Sequence, residues 1–99
     1  MIMLYQDSVP EFEFDEGKSR LNKRKHGVDF VEAQALWLDP YRVELLIQEE
    51  GEERWMVIGA IRGKLWSAVI TYRDERVRFI SVRRSRPKEM VRYEEEDHS

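Results

Sequence analysis

The stretch "RWMVIGAIRGKLWSAVITYRDERVRFISVR", Arg54 to Arg83, holds three runs rich in Val, Ile, Trp, Tyr and Phe, with only "RGK" and "RDE" between them. Such side chains favour the pleated, half-buried surface of a strand. Connections this short suit hairpins and cannot hold the crossover that a parallel pair requires. A fourth run, "RVELLIQ", precedes them and is set off by "EEGEE". The four runs predict an antiparallel meander. In the last run Arg78 alternates with Val77 and Phe79, so one face of the sheet is core and the other polar.

Working outward, "EFEFD" alternates acid and aromatic and predicts a short strand with Phe12 and Phe14 inward. Asp15 is placed to cap a helix over Glu16 to His26, and Gly27 to stop it. The cations of "KRKH" crowd the end of that helix, where its dipole favours them. Asp29 and Glu32 have the spacing of a capping box, with Val28 and Ala33 at staple positions. Phe30, Ala33, Leu36 and Trp37 then fall on one face of a second helix, which ends near "LDP" because Pro40 disfavours helix at Asp39. Downstream of the meander, Ser85 is positioned to cap a last helix, with Pro87 in its first turn, running to about Glu95. The expected domain is α+β: an antiparallel meander with two N-terminal helices and one C-terminal helix packed on it. Residues 1–99 read as a single domain, with 1–10 an N-terminal extension and 94–99 a frayed tail.

Composition narrows the function classes. The chain has no cysteine, which excludes disulfides and thiolate chemistry. No apolar run approaches the roughly 18 residues of a membrane span, and the N-terminus lacks a signal-peptide pattern, so a cytoplasmic protein is expected. The net charge is −3, but the signs are segregated. Lys18, Arg20, Lys23, Arg24 and Lys25 cluster without an acid, and Arg73 to Lys88 is strongly basic, whereas acids gather at Glu44–Glu53 and Glu94–Asp97. A focused basic patch binds polyanions even on an acidic chain.

His26 and His98 are the only histidines, a poor basis for a metal site, and there is no glycine-rich phosphate loop. What remains is a set of cations with a few titratable partners: Arg54 opening a strand beside Glu53, Arg78 and Arg83 on the last strand, and Lys25 and His26 ending the first helix. This inventory suits metal-free phosphoryl transfer on RNA, whose 2′-hydroxyl supplies the nucleophile. Each member also has a structural reading. Arg78 can be a solvated strand residue paired with an acid, Glu53–Arg54 a turn ion pair, His26 a helix-end cation, and Trp37, Trp55 and Trp66 core residues.

Three strings carry a family resemblance: "FEFDEGKSRLNKRKHGVDFVEAQALWLDP", "EERWMVIG" and "RVRFISVRRSRPKEMVRYE". Together they resemble the BrnT family of bacterial ribonuclease toxins, matching its pattern at Lys18, Asn22, Lys25, His26, Gly27, Val28, Phe30 and Ala33. The match continues at Glu53, Arg54 and Gly59, and at Arg78, Ser81, Arg83, Glu89 and Tyr93. Phe14 stands where the family usually has Trp, and Ile70-Thr71 where many members have Tyr-Thr, with Tyr72 following.

The resemblance implies a fold similar to RelE-type messenger-RNA-cleaving toxins, with no cofactor. It also implies a cognate antitoxin with a ribbon-helix-helix DNA-binding part, through which the complex sits on its own promoter. In that light Arg54, Arg78 and Arg83 are expected at the scissile phosphate, and His26 or Glu53 in proton transfer. Lys18, Lys23, Lys25 and Arg84 are expected to bind RNA. The alternative is a non-catalytic module that uses the same basic face to hold an acidic partner or nucleic acid.

Overall fold

The structure, a computed structural model, describes residues 9–97; His98 and most of the N-terminal extension lie outside them. Four strands form the expected meander: β2 (Val43–Gln48), β3 (Arg54–Ile61), β4 (Lys64–Arg73) and β5 (Arg76–Arg84). Their two tightest turns, Arg62-Gly63 and Asp74-Glu75, have positive φ at both central residues, the backbone twist that matches right-handed strands. No helix among the described residues is long and apolar enough to cross a membrane.

The purely antiparallel expectation is corrected. β1 (Phe12–Glu13) adds to the far side of β5 in parallel, giving a five-stranded mixed sheet of order β1-β5-β4-β3-β2. The reason is complementary alternation: "EFEF" lies beside "RVRF", with Phe12 registered on Val77 and Glu13 on Arg78. Phe12 then stacks on Phe79 at 5.5 Å in the core. On the polar face Glu11 meets Arg76 at 3.0 Å and Glu13 meets Arg78 at 3.2 Å.

Helix α1 (Glu16–His26) has the predicted ends. The Asp15 carboxylate accepts from the Lys18 N–H, and Gly27 closes the helix at φ 88°, a conformation glycine adopts without steric cost. α1 lies along the edge of β5 beyond the short β1, and one buried side chain joins the two. The Asn22 amide donates to the Val82 and Val28 carbonyls at 2.9 and 2.7 Å, and its oxygen accepts from the Val82 N–H at 3.1 Å. Asn22 thus satisfies a strand edge that β1 is too short to cover.

The second N-terminal helix is also corrected: Glu32–Leu38 is a 3₁₀ helix. The capping box does form, with Asp29 and Glu32 exchanging N–H···O bonds of 2.9 and 2.7 Å. Beyond it, three residues per turn align Ala33, Leu36 and Asp39 in one buried row, continuing from Phe30. That row sits on β3, where Asp39 accepts from the Ala60 N–H at 2.8 Å and Gly59 lets Leu36 approach. A Cβ on Gly59 would lie 3.0 Å from Leu36 Cδ2. The core between this helix and the inner face of the sheet contains Phe30, Leu36, Val57, Ile70, Phe79 and Val82.

Helix α2 (Pro87–Asp97) begins at Pro87 but is not capped by Ser85. The Ser85 hydroxyl pairs instead with Ser67 at 2.8 Å, and the Arg86 N–H is capped by the Glu89 carboxylate at 2.8 Å. Glu94 to Asp97 continue the helix.

Candidate active site

Strand alternation decides which of the predicted residues meet. Val57, Ile70 and Phe79 face the helical core, so Met56, Thr71 and Arg78 face the other, outer side. Arg54, one residue before the registered pair Trp55–Ile70, falls beside Thr71, and Thr71 is registered on Arg78. Arg54, Thr71 and Arg78 therefore form one cross-strand row, about 10 Å from end to end at the usual strand spacing. Arg83, registered on Ser67, shares this face but lies four residues along β4, about 14 Å away.

The three arginines differ in what holds them. Arg83 is clamped by Glu89 through two bonds of 2.8 Å, and Glu89 also accepts from Ser67 at 2.8 Å. The Arg83 guanidinium, more than any other neighbour, holds the Glu89 carboxyl down at about 2, and Glu89 in turn raises the Arg83 pKa. This clamp ties the start of α2 to the sheet, and the Tyr93 hydroxyl fixes its far part by donating to Asp39 at 2.7 Å. α2 thereby covers the Ser67–Arg83 half of the outer face. Arg78 pairs with Glu13, as its structural reading anticipated. Arg54 is in no ion pair among the described residues, and its Nε is buried without a hydrogen-bond partner.

Thr71, to which sequence reasoning gave no site role, is 1% exposed in the middle of the arginine row. Its hydroxyl donates to the Glu53 carbonyl at 2.7 Å. It thereby anchors the backbone immediately before Arg54 and sets where that side chain leaves the sheet. Glu53 itself is exposed and lies outside every ion pair among the described residues.

The structure does not bring His26 into this row. α1 starts near Arg78, whose charge helps lower the Asp15 pKa after the Lys18 N–H bond, and it reaches Val82 at Asn22. His26, exposed one turn farther on, is about 17 Å along the helix axis from that start. Of the lysines, Lys23 bonds both oxygens of Glu32 at 2.9 and 3.0 Å, on the side of α1 that meets the 3₁₀ helix. At 100° per residue, Lys18 and Lys25 lie about 140–160° around α1 from Lys23, toward the outer face. Arg84 alternates onto the inner side, with its guanidinium 5.5 Å from the Trp66 ring centre. Tyr72 also belongs to the inner side; burial and then its 2.7 Å bond to Glu44 raise its pKa, so it stays a protonated donor.

Residues 14–89 match the family model described as ribonuclease toxin, BrnT, of type II toxin–antitoxin systems. No curated protein matches the chain at a significant level.

Proposed function

The chain belongs to the BrnT family of ribonuclease toxins, and from that premise we propose that the uncovered half of the outer face cleaves RNA internally without a metal. The observation that carries this reading is Arg54: a guanidinium with no acid partner and an unpaired buried Nε, beside Thr71 and in one row with Arg78. With Nε sealed in the sheet and no acid on the guanidinium among the described residues, the half-buried Arg54 presents its remaining N–H groups to a phosphate, which accepts charge-assisted bonds from them. Arg54 binds the scissile phosphate and stabilises the charge that develops as the 2′-hydroxyl attacks. Arg78, on leaving Glu13, closes on the same phosphate. Glu53, next to Arg54 in the chain, accepts the 2′-hydroxyl proton in preference to His26, which lies at the other end of α1. As the 2′-oxygen bonds to phosphorus the P–O5′ bond breaks, leaving a 2′,3′-cyclic phosphate on one product and a 5′-oxygen that takes its proton from solvent on the other. Lys18 and Lys25 hold the RNA backbone alongside. Arg83 serves chiefly through its clamp on Glu89.

The Arg78–Glu13 and Arg83–Glu89 pairs favour a second reading, a binding module that holds RNA without cutting it. Cleavage of a mixed-sequence RNA by purified protein in EDTA separates the two. The catalytic reading predicts cleavage that Arg54→Ala abolishes and Arg54→Lys only partly restores, since Lys cannot bind bidentately. Retention of intact RNA by the folded wild type supports the binding module.

A further inference from the structure

On the opposite side of the molecule a groove of about 920 Å³ opens between the 3₁₀ helix and the β3–β4 hairpin, at the end of β3 away from Arg54. Val31 and Leu38 on one wall, with Ile61 and Trp66 on the other, make it apolar. Val31 is 60% exposed and Leu38 71%, an open apolar surface of the kind that marks an interaction site.

Its charges are unbalanced. Of the two acids in the lining, Glu32 is held by Lys23, and Asp39 is buried and accepts from the Ala60 and Tyr41 N–H groups and the Tyr93 hydroxyl. Arg62 and Lys64, which line the hairpin side, are in no ion pair among the described residues. The Arg62 charge adds only the last contribution, after the Lys23 and Asp29 hydrogen bonds, to lowering the Glu32 pKa. Arg84 adds a third cation above Trp66. An apolar trough whose acids are committed and whose cations are spare complements an acidic segment with apolar anchors. We propose that this groove is the docking site for such a segment of the antitoxin, the protein partner that a type II family implies. The inference rests on that family partner and not on the assignment of Arg54 to catalysis. It places neutralisation on a different surface from the Arg54–Arg78 row.

Calorimetric titration of the cognate antitoxin into the purified full-length toxin tests it, with an Arg62→Glu/Lys64→Glu double variant, Leu38→Asp and Arg54→Ala. Each groove variant is expected to weaken Kd at least about tenfold, about 1.4 kcal/mol, while Arg54→Ala binds as the wild type does. Affinity is also expected to fall with added salt, because the spare cations are exposed. Wild-type affinity in both groove variants overturns the proposal, as does an Arg54→Ala loss as large as theirs. The charge reversals sit in an exposed turn, so they decide the matter even if Leu38→Asp fails to fold. A separate cleavage assay on the wild-type toxin reports on the reaction alone, so failure there leaves the docking result intact.

Discussion

Removing the Glu89 charge should loosen α2 by an amount that depends on pH. Glu89→Gln keeps the side chain's shape but ends its charge-assisted fork with Arg83, which now bonds both carboxylate oxygens. In the folded chain Glu89 takes up its proton at about 2, against an ordinary value of 4.5. A difference of that size corresponds to at most about 3 kcal/mol. With Arg83 24% and Glu89 15% exposed, solvent screening reduces this to about 1–3 kcal/mol. For a domain of this length that is a fall in Tm of about 5–15 °C. Because the folded pKa is depressed, the stabilisation is fully present above the unfolded value and is lost as pH falls from about 4.5 to about 2. Thermal melts of wild type and Glu89→Gln across pH 2–7 should therefore diverge at neutral pH and converge in acid. Equal melting at pH 7, or a gap that persists unchanged at the acid end, would refute the reasoning.

Other substitutions probe the frame around the site. Asn22→Ala removes three buried hydrogen bonds and leaves the Val82 N–H unpaired, so urea denaturation should show a loss of about 2–4 kcal/mol. Gly59→Ala presses a methyl to 3.0 Å from Leu36 Cδ2 and is expected to cost about 1–3 kcal/mol in the same measurement. Thr71→Val frees the Glu53 carbonyl and should lower kcat about tenfold with little change in KM, whereas Thr71→Ser keeps the donor and should retain activity. A Thr71→Val enzyme with wild-type kcat would remove Thr71 from the positioning role.

Local chemistry was legible in the sequence wherever one short segment decides the outcome. Asp15 and Gly27 bound α1, Asp29 and Glu32 close the capping box, and the spacing of the hydrophobic runs foretells the meander. What escaped depends on partners far apart in the chain. β1 joins β5 across 65 residues, and only side-by-side comparison of "EFEF" with "RVRF" shows their shared phase. The 3₁₀ period was present at Phe30, Ala33, Leu36 and Asp39, but Trp37 on an adjacent row made the pattern pass for an α-helix.

Alternation on β5 correctly puts Arg78 outward. The bulge at Ile80 then shifts the phase, so Arg83 also faces outward while Arg84 turns inward to Trp66. His26 and Arg54 come from separate strings of the family pattern and stay apart in space, because α1 starts near Arg78 and carries His26 one turn past Asn22, away from the arginine row. Thr71 is a common strand residue, and nothing local marks its bond to Glu53.

The most direct measurement is the rate of cleavage, in EDTA, of a defined RNA by wild type, Arg54→Ala and Arg78→Ala, with product ends identified by mass. An outer-face row acting through the 2′-hydroxyl predicts 2′,3′-cyclic phosphate ends, no cleavage where that nucleotide is deoxy, and near-complete loss of rate in Arg54→Ala. Folded variants that cut at the wild-type rate, or products from the deoxy substrate, would contradict it.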